Sequence, residues 1–373
     1  MFLEDVQILN FRNIREMRLQ FAPGLNVIYG PNAQGKTNLI EAIYMLVTGR
    51  SFRARSEREL VPWLVEDYEA TVIRATVRHQ GLCDRFLMSF NLTQKYVSVN
   101  GEPLRRLGEL LGRINAVLFT PAELNLIRGT PQGRRRFMDL CLSQVSHRYL
   151  HELQRFDRVL RQRNVLLRLH RERGDLANEL APYNVQLAES GAFIMLTRAK
   201  ALATLSELAN RFFARVSARD EFLQLKYLPS FEIGEEPVAF AALEAGLLEA
   251  LAKSFREDLL GGATSVGPHR DDFVFLLNER DAKLFGSQGQ QRACVLAMKF
   301  AEVEYIHNQV GERPILFLDD LMSELDEERR RALLANLPSG TQCFLTTTDL
   351  KLVNDALKPE RVFRVQEGRA YPQ

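Results

Sequence analysis

The chain has 373 residues, of which 46% are hydrophobic, and its 49 Lys and Arg residues nearly balance 47 Asp and Glu residues, giving a net charge of +2. This composition predicts a globular protein with a buried core and argues against a protein that is basic throughout. No apolar run approaches the roughly 20 residues of a membrane-spanning helix, and residues 1–5 do not resemble a signal peptide. Four scattered cysteines without a Cys-x-x-Cys pair indicate neither disulfides nor a zinc site. We therefore expect a cytoplasmic protein with no membrane partner.

The first 120 residues have mainly the pattern of strands. Alternating apolar and polar residues predict a hairpin from residues 6–8 and 17–21, and further strands at 25–29, 71–77, 86–92 and 97–99. The strand at 25–29 runs into a glycine turn, which an apolar helical pattern at 39–47 follows. Asn100-Gly101 is a strong hairpin signal, so we expect an antiparallel meander in this region.

From residue 121 to residue 254 the apolar spacing becomes helical, which predicts an inserted helical arm. Two long helices at 134–173 and 183–216, joined at 174–178, are typical of an antiparallel helical hairpin, and a strand is expected at 222–227. Strand patterns return at 315–318 and 343–345, so residues 1–120 and 255–373 are predicted to form one head. Between Arg128 and Arg173, twelve Arg residues face only four acidic residues, a local excess of +8 that would suit a polyanion.

One segment matches the phosphate-binding P-loop pattern G-x-x-x-x-G-K-[ST] and lies between a predicted strand and a predicted helix, as that motif requires. In such a loop the backbone N–H groups and the helix N-terminus bind phosphates, Lys36 reaches the β- and γ-phosphate oxygens, and the Thr37 hydroxyl holds Mg²⁺. The sequence therefore predicts an ATP site. The segment is Gly30-Pro31-Asn32-Ala33-Gln34-Gly35-Lys36-Thr37.

A second carboxylate-bearing strand is needed to complete a magnesium site of this kind. Asp319 and Asp320 follow the apolar run at 315–318 and are the candidates. We expect Asp319 to bind Mg²⁺ through water and Asp320 to orient the attacking water. Related ATPases usually carry a glutamate at the second position, and the shorter Asp320 side chain favours slow turnover. A buried strand followed by a solvated acidic turn is the alternative.

Two further segments resemble motifs of ATP-binding-cassette (ABC) ATPases. Residues 323–326 resemble the D-loop, and residues 286–290 resemble the signature Leu-Ser-Gly-Gly-Gln, from which two of the five positions differ. Both motifs act across a dimer interface, so the signature would close on the γ-phosphate held by a second copy. A plain serine helix cap is the alternative reading of the signature. The residues are Ser287, Gln288, Gly289 and Gln290 in the signature and Ser323, Glu324, Leu325 and Asp326 in the D-loop.

Five arginines are candidates for DNA contacts. Arg50 and Arg53 follow the P-loop helix, and Arg134, Arg135 and Arg136 form a run within the arm. No aromatic residues are interleaved with the arm arginines, so contact with phosphates is favoured over base reading. A solvated basic surface is the alternative for each group.

Together with Asn10-Phe11-Arg12-Asn13, residues 267–272 and Thr346-Thr347-Thr348-Asp349, these motifs resemble the RecF family, in the SMC and Rad50 branch of ABC ATPases. The resemblance implies an α/β P-loop fold of ABC type, with a mixed sheet, an antiparallel meander and the inserted arm. It also implies a weak DNA-stimulated ATPase that forms an ATP-dependent homodimer and binds double-stranded and gapped DNA. RecR and RecO would be its partners in placing RecA during replication and repair.

Two other functions are alternatives for an ATPase of this class. A mechanical DNA tether of Rad50 or SMC type would separate the P-loop from the Asp319 strand by a very long coiled coil and would carry a Cys-x-x-Cys hook. A transporter ATPase would carry a switch histidine where this chain has Thr346 to Thr348, and a glutamine near residues 119–123. Neither set of features is found in the sequence, and the residue that senses the γ-phosphate stays open.

Overall fold

The structure is a computed structural model that describes all residues except 63–68, 170–175, 217–220, 234–238, 324 and 355–357. It divides into two compact units, one formed by Met1–Glu123 with Lys299–Gln373 and the other by Leu124–Met298. The first junction lies close to the predicted one at residue 120. The second lies well beyond residue 254, because the strand at Asp272–Leu277 pairs with the strand at Leu223–Leu228 and therefore belongs to the arm unit.

The described strands and helices are numbered along the chain. The strands are β1 (Phe2–Phe11), β2 (Ile14–Gln20), β3 (Leu25–Tyr29), β4 (Thr71–His79), β5 (Leu82–Phe90), β6 (Lys95–Val99), β7 (Glu102–Pro103), β8 (Ala116–Phe119), β9 (Leu223–Leu228), β10 (Asp272–Leu277), β11 (Arg280–Asp281), β12 (Ile315–Leu318), β13 (Cys343–Thr347), β14 (Arg361–Gln366) and β15 (Arg369–Pro372). The helices are α1 (Lys36–Thr48), α2 (Asn125–Arg128), α3 (Pro131–Val145), α4 (His147–Leu169), α5 (Leu176–Val216), α6 (Phe240–Lys253), α7 (Phe255–Gly261), α8 (Ala282–Phe285), α9 (Gln288–Val310), α10 (Glu327–Ala335) and α11 (Lys351–Asn354). None of these helices is long and apolar enough to cross a membrane.

The first unit contains two six-stranded sheets. One has the order β15-β14-β3-β13-β12-β8 and is parallel except at β15. Its central strands are buried on both faces, which explains why β12 is a continuous apolar run. The other sheet has the order β2-β1-β4-β5-β6-β7 and is antiparallel throughout, which confirms the predicted meander.

The parallel sheet determines where polar groups meet in this unit. In β3, β13 and β12, parallel pairing aligns the carboxyl ends of the three strands at one edge. The loop after β3, the last residues of β13 and the residues after β12 therefore lie next to each other. This is the edge at which parallel α/β sheets bind ligands.

The helical arm of the second unit differs from the prediction in two respects. The predicted helix at 134–173 is divided at Ser146, where the backbone is extended and the hydroxyl accepts a hydrogen bond from the Tyr149 amide at 3.1 Å, as at the start of a new helix. The second helix begins at Leu176 and continues through Pro182. Leu176 and Leu180 pack with Leu167 in a buried cluster, and this packing outweighs the local cost of the proline. The predicted junction at 174–178 falls partly outside the described residues.

Part of the positive charge of the arm lies inside it. Arg163 is fully buried and forms an ion pair with Asp258, which is also fully buried, at 2.7 Å. The Arg163 guanidinium also donates to Asn184 Oδ1 and Thr264 Oγ1, both at 2.8 Å. One side chain thus connects α4, α5 and the segment around α7, and its charge is not available at the surface.

Replacing Arg163 tests this connection. Arg163→Ala leaves the Asp258 carboxylate buried without its cation, which costs about 3–5 kcal/mol in comparable buried pairs. We expect a large fall in the urea midpoint of the transition that unfolds the arm. Arg161→Ala, at an exposed position of the same helix, should change stability by no more than about 0.5 kcal/mol. Equal midpoints for the two variants would contradict this account.

Candidate functional site

The P-loop follows β3 and leads into α1, as the sequence predicted. Gly30 has a φ of 154° and Gly35 a φ of 115°, and a side chain on Gly30 would approach Val365 O to 2.3 Å. Glycine is therefore required at the start of the loop. Gly35 is buried and Gln34 is half-buried, whereas Pro31, Asn32 and Ala33 are exposed at the tip of the loop.

Lys36 lies inside the curve of this loop. Its ammonium donates to Gly30 O at 2.8 Å and to Pro31 O at 2.9 Å. Burial lowers the pKa of Lys36, and the nearby Asp320 and Asp319 carboxylates partly oppose that shift. The two carbonyl groups thus hold the ammonium within the curve of the loop.

The P-loop and the strand that precedes Asp319 meet through hydrogen bonds to one carboxylate oxygen. Asp319 Oδ1 accepts from Thr37 Oγ1 at 3.0 Å and from Thr346 Oγ1 at 2.9 Å. Burial raises the pKa of Asp319, while the bonds from Thr346 and Thr37 act in the opposite direction. Oxygen ligands from a threonine and an aspartate are the type that Mg²⁺ prefers, so these two residues could hold the ion that the sequence predicts here.

Thr346 forms hydrogen bonds with both acidic residues of this site. Besides donating to Asp319, its hydroxyl accepts the backbone N–H of Asp320 at 2.8 Å. Asp320 has a φ of 52°, an uncommon value for a residue with a side chain. In the sequence, Thr346 belongs to the family resemblance and marks a difference from transporter ATPases, but neither pattern assigned it a role in the site. A hydroxyl near the end of a buried apolar strand was the sequence feature that could have indicated this role. The role could be inferred only once β13 was known to pair with β12.

The predicted D-loop lies directly after Asp320. The Ser323 hydroxyl is within 3.0 Å of Asp320 O and 3.2 Å of Asp320 Oδ1. Leu325 is buried, and Asp326 caps α10 by accepting the backbone N–H of Arg329 at 2.9 Å. Glu324 lies outside the described residues.

The predicted signature lies in the second unit, at the start of α9. Ser287 N donates to Gln290 Oε1 at 2.6 Å and Gln290 N donates to Ser287 Oγ at 3.2 Å, a reciprocal capping arrangement. Gln290 Nε2 also donates to Glu221 Oε1 at 2.6 Å. Ser287 and Gln288 are exposed, and Gly289 and Gln290 are half-buried. In the single chain these residues therefore form a helix cap, which was the alternative interpretation. The start of the helix is exposed and could be reached by an anion.

The arginines proposed for DNA contact lie in different environments. Arg134 is buried, forms a two-bond ion pair with Asp272, and donates to the carbonyl oxygens of Leu126 and Gly129, so its charge is used inside the arm. We therefore correct its assignment from DNA contact to structural residue. Arg135 is half-buried and donates to a backbone carbonyl at 2.7 Å. Arg136, Arg50 and Arg53 are exposed.

Arginine also lines the cleft that contains the P-loop. This cleft, of about 940 Å³, is bounded by P-loop residues, by Asp320 and by the turn between β1 and β2. Arg12 and Asn13 belong to that turn, and Asn13 Nδ2 donates to Gln34 O in the P-loop at 3.1 Å. Both residues belong to the family resemblance, but the sequence assigned them no role because their proximity to the P-loop depends on the fold.

Comparison with known proteins identifies the family. The model for the RecF/RecN/SMC N-terminal domain matches residues 2–370. The DNA replication and repair protein RecF of Symbiobacterium thermophilum is 42% identical over 374 residues, which cover 99% of this chain and 97% of that protein. The chain belongs to the RecF family. RecF of Alkaliphilus oremlandii, at 38% identity, covers 99% of this chain and its own whole length.

Solved structures agree with this assignment. A RecF–ATP structure, described as a recombination mediator protein in the RecFOR pathway, is 35% identical, has a TM-score of 0.91, and covers 100% of this chain and 97% of that chain. An SMC head bound to the C-terminal winged-helix domain of ScpA is 13% identical with a TM-score of 0.57, and it supports the fold alone. The predicted α/β fold of ABC-ATPase type with an inserted helical arm is thereby confirmed.

Thr346 provides a test of the site. Thr346→Val keeps the side-chain shape but removes the hydroxyl, so Asp319 loses a donor and the Asp320 amide loses its acceptor. We expect ATP turnover to fall by about 10- to 100-fold, the usual effect of removing a group that orients a metal ligand, with ATP binding largely kept. Turnover and equilibrium binding of a fluorescent ATP analogue would be measured. Thr346→Ser retains the hydroxyl and should stay near native activity, and equal turnover in the two variants would refute the assignment.

Proposed function

We propose that this chain is an ATP-dependent, DNA-binding recombination mediator that dimerises on ATP, binds duplex DNA near single-strand gaps and supports RecA loading in replication and repair. The observation that carries the proposal is the joint hydrogen bonding of Thr37 and Thr346 to Asp319, which joins the P-loop motif to the carboxylate after β12 in a member of the RecF family. RecR and RecO are its proposed partners, since the similar RecF–ATP structure is described as part of the RecFOR pathway. The cytoplasm is its proposed location.

ATP binding uses groups that are already in place. The loop amides and the N-terminus of α1 surround the phosphates, and the Lys36 ammonium exchanges its bonds to Gly30 O and Pro31 O for phosphate oxygens. Thr37 and Asp319 would hold Mg²⁺, and the ion would supply positive charge against the phosphates. Asp320 orients the attacking water. The chain thus acts as a slow ATPase whose turnover DNA stimulates.

The proposed dimer forms because the signature of one copy contacts the γ-phosphate that the P-loop of the other copy binds. Ser287, with the start of α9 behind it, is exposed and presents a hydroxyl and backbone N–H groups suited to an anion. In the proposed dimer, this face of one copy closes on the P-loop of the other. Hydrolysis removes the shared phosphate contact and releases the dimer.

DNA binding is proposed for the exposed arginines. Arg136 lies on α3 and the exposed Arg158 and Arg161 lie on α4, while Arg50 and Arg53 belong to the first unit. Exposed guanidinium groups bind the phosphate backbone and give an affinity that falls steeply with salt. The burial of Arg134 and Arg163 leaves a smaller basic surface than the residue count of the arm suggests.

Lys36→Ala tests the ATP switch. Hydrogen bonds to charged groups contribute roughly 1.5–3 kcal/mol, so we expect ATP affinity to fall by at least about 10-fold and ATP-dependent dimers to disappear. Sedimentation velocity with ATP, ADP or no nucleotide would measure the dimer. Lys358→Ala, at an exposed lysine of the same unit, should dimerise normally. ATP-induced dimers of native strength in Lys36→Ala would rule out the mechanism.

Arg136→Ala tests the arm as a DNA contact. Losing one phosphate contact should weaken binding to duplex and gapped DNA to a similar extent, and should reduce the slope of log affinity against log salt by about 1. Gel-shift titrations across salt concentrations would measure both quantities. Arg256→Ala, at an exposed arginine of α7, serves as the control. An unchanged slope for Arg136→Ala would exclude this residue from the contact.

A further inference from the structure

A buried carboxylate connects two turns near the P-loop. Glu41 lies on α1 and is 0% exposed. Its carboxylate accepts from Arg12 Nε at 2.5 Å and Arg12 Nη2 at 2.8 Å, a two-bond ion pair. It also accepts from Ser51 Oγ at 2.5 Å. A buried charge requires such partners, and here they come from two separate segments of the chain.

The first segment is the turn between β1 and β2. Arg12 has a φ of 50°, its backbone N–H donates to Leu60 O at 2.7 Å, and its side chain lines the same cleft as Lys36 and Thr37. The pair with Glu41 uses two of the five guanidinium donors. Glu41 thus determines where this guanidinium stands at the edge of the cleft.

The second segment is residues 49–55, which we call the arginine loop. The Ser51 hydroxyl accepts the backbone N–H groups of Arg53 at 2.9 Å and Ala54 at 2.7 Å while it donates to Glu41. The Arg53 guanidinium lies 3.9 Å from the Glu41 carboxylate and also lines the cleft. The conformation of the arginine loop therefore depends on the same carboxylate that holds Arg12.

Stability alone is a weak explanation for this arrangement. Apolar residues of similar volume often replace a buried ion pair with no loss of stability. In this chain both partner segments line the nucleotide cleft, and one of them carries the exposed Arg50 and Arg53. A displacement of the arginine loop moves Ser51, which is hydrogen-bonded to Glu41. The movement is passed by Glu41 to its ion-pair partner Arg12 and to α1, the helix that begins with Lys36.

We propose that Glu41 is a positioning residue that couples the arginine loop to the nucleotide cleft, so that DNA phosphates bound at Arg50 and Arg53 change ATP turnover through the Ser51–Glu41–Arg12 connection. The inference rests on the proposed function and specifies how the ATP site is regulated. Both carboxylate oxygens are required as acceptors, because together they accept two bonds from the guanidinium and one from the hydroxyl.

Ser51→Ala and Ser51→Thr form the matched pair for the test. Ala removes the bond to Glu41 and leaves the Arg12–Glu41 pair intact, whereas Thr keeps the hydroxyl. ATP turnover would be measured without DNA and with duplex DNA at a concentration that saturates each variant, so that weaker DNA binding does not imitate lost coupling. We expect the ratio of the two rates to fall by about 2- to 30-fold in Ser51→Ala and to stay native in Ser51→Thr.

Glu41→Gln is the second variant. Its amide nitrogen replaces either Oε2, which accepts from Arg12 Nε, or Oε1, which accepts from Arg12 Nη2 and from Ser51 Oγ. Arg12 therefore loses a hydrogen bond in either orientation, and Ser51 loses its own in the second. We expect a raised KM for ATP together with a reduced DNA response, and a native melting temperature would show that folding is intact. If native protein responds to DNA and Ser51→Ala responds equally, the coupling is refuted and the proposed function stands. If native protein shows no DNA response, the proposed DNA-stimulated ATPase itself fails.

Discussion

One oxygen atom, Asp319 Oδ1, joins the elements of the nucleotide site. It accepts hydrogen bonds from Thr37 at the start of α1 and from Thr346 in β13, and Asp319 itself follows β12. Because β3, β13 and β12 are adjacent and parallel, the three side chains meet at one edge of the sheet. The backbone N–H of Asp319 donates to Phe119 O of β8, which extends the arrangement to a fourth strand. The positions of the P-loop, Asp320 and the D-loop all depend on this edge.

Burial shifts the pKa values of Lys36 and Asp319 in opposite directions. It lowers the pKa of Lys36 and raises that of Asp319, so each charged form is less favourable than it would be in water. Loop carbonyls and threonine hydroxyls replace the lost water only in part. A phosphate beside Lys36 and a cation beside Asp319 would favour the charged form of both. The site therefore holds its groups ready for a ligand at some expense to the stability of the free protein.

Arginine has several functions in this chain, and its environment separates them. Arg163 and Arg134 are buried in ion pairs that hold the arm unit together, and Arg12 is held by Glu41 beside the P-loop. Arg136, Arg50 and Arg53 are exposed. A count of charges along the sequence treats all of them alike, so it overestimates the basic surface of the arm. The burial of each guanidinium shows how much of that charge a polyanion can reach.

The sequence by itself determined β1 to β6, α1, β12 and β13 of the first unit, the P-loop motif and the family, because these depend on short-range patterns of apolar spacing and turn residues. It did not determine the break at Ser146, the helix through Pro182 or the boundary beyond residue 254, where packing and strand pairing outweigh local preference. Nor did it assign Thr346, Arg12 or Glu41. Their partners are distant in the sequence, and only the adjacency of strands and turns in the tertiary structure brings the hydroxyl, the guanidinium and the carboxylate within hydrogen-bonding distance.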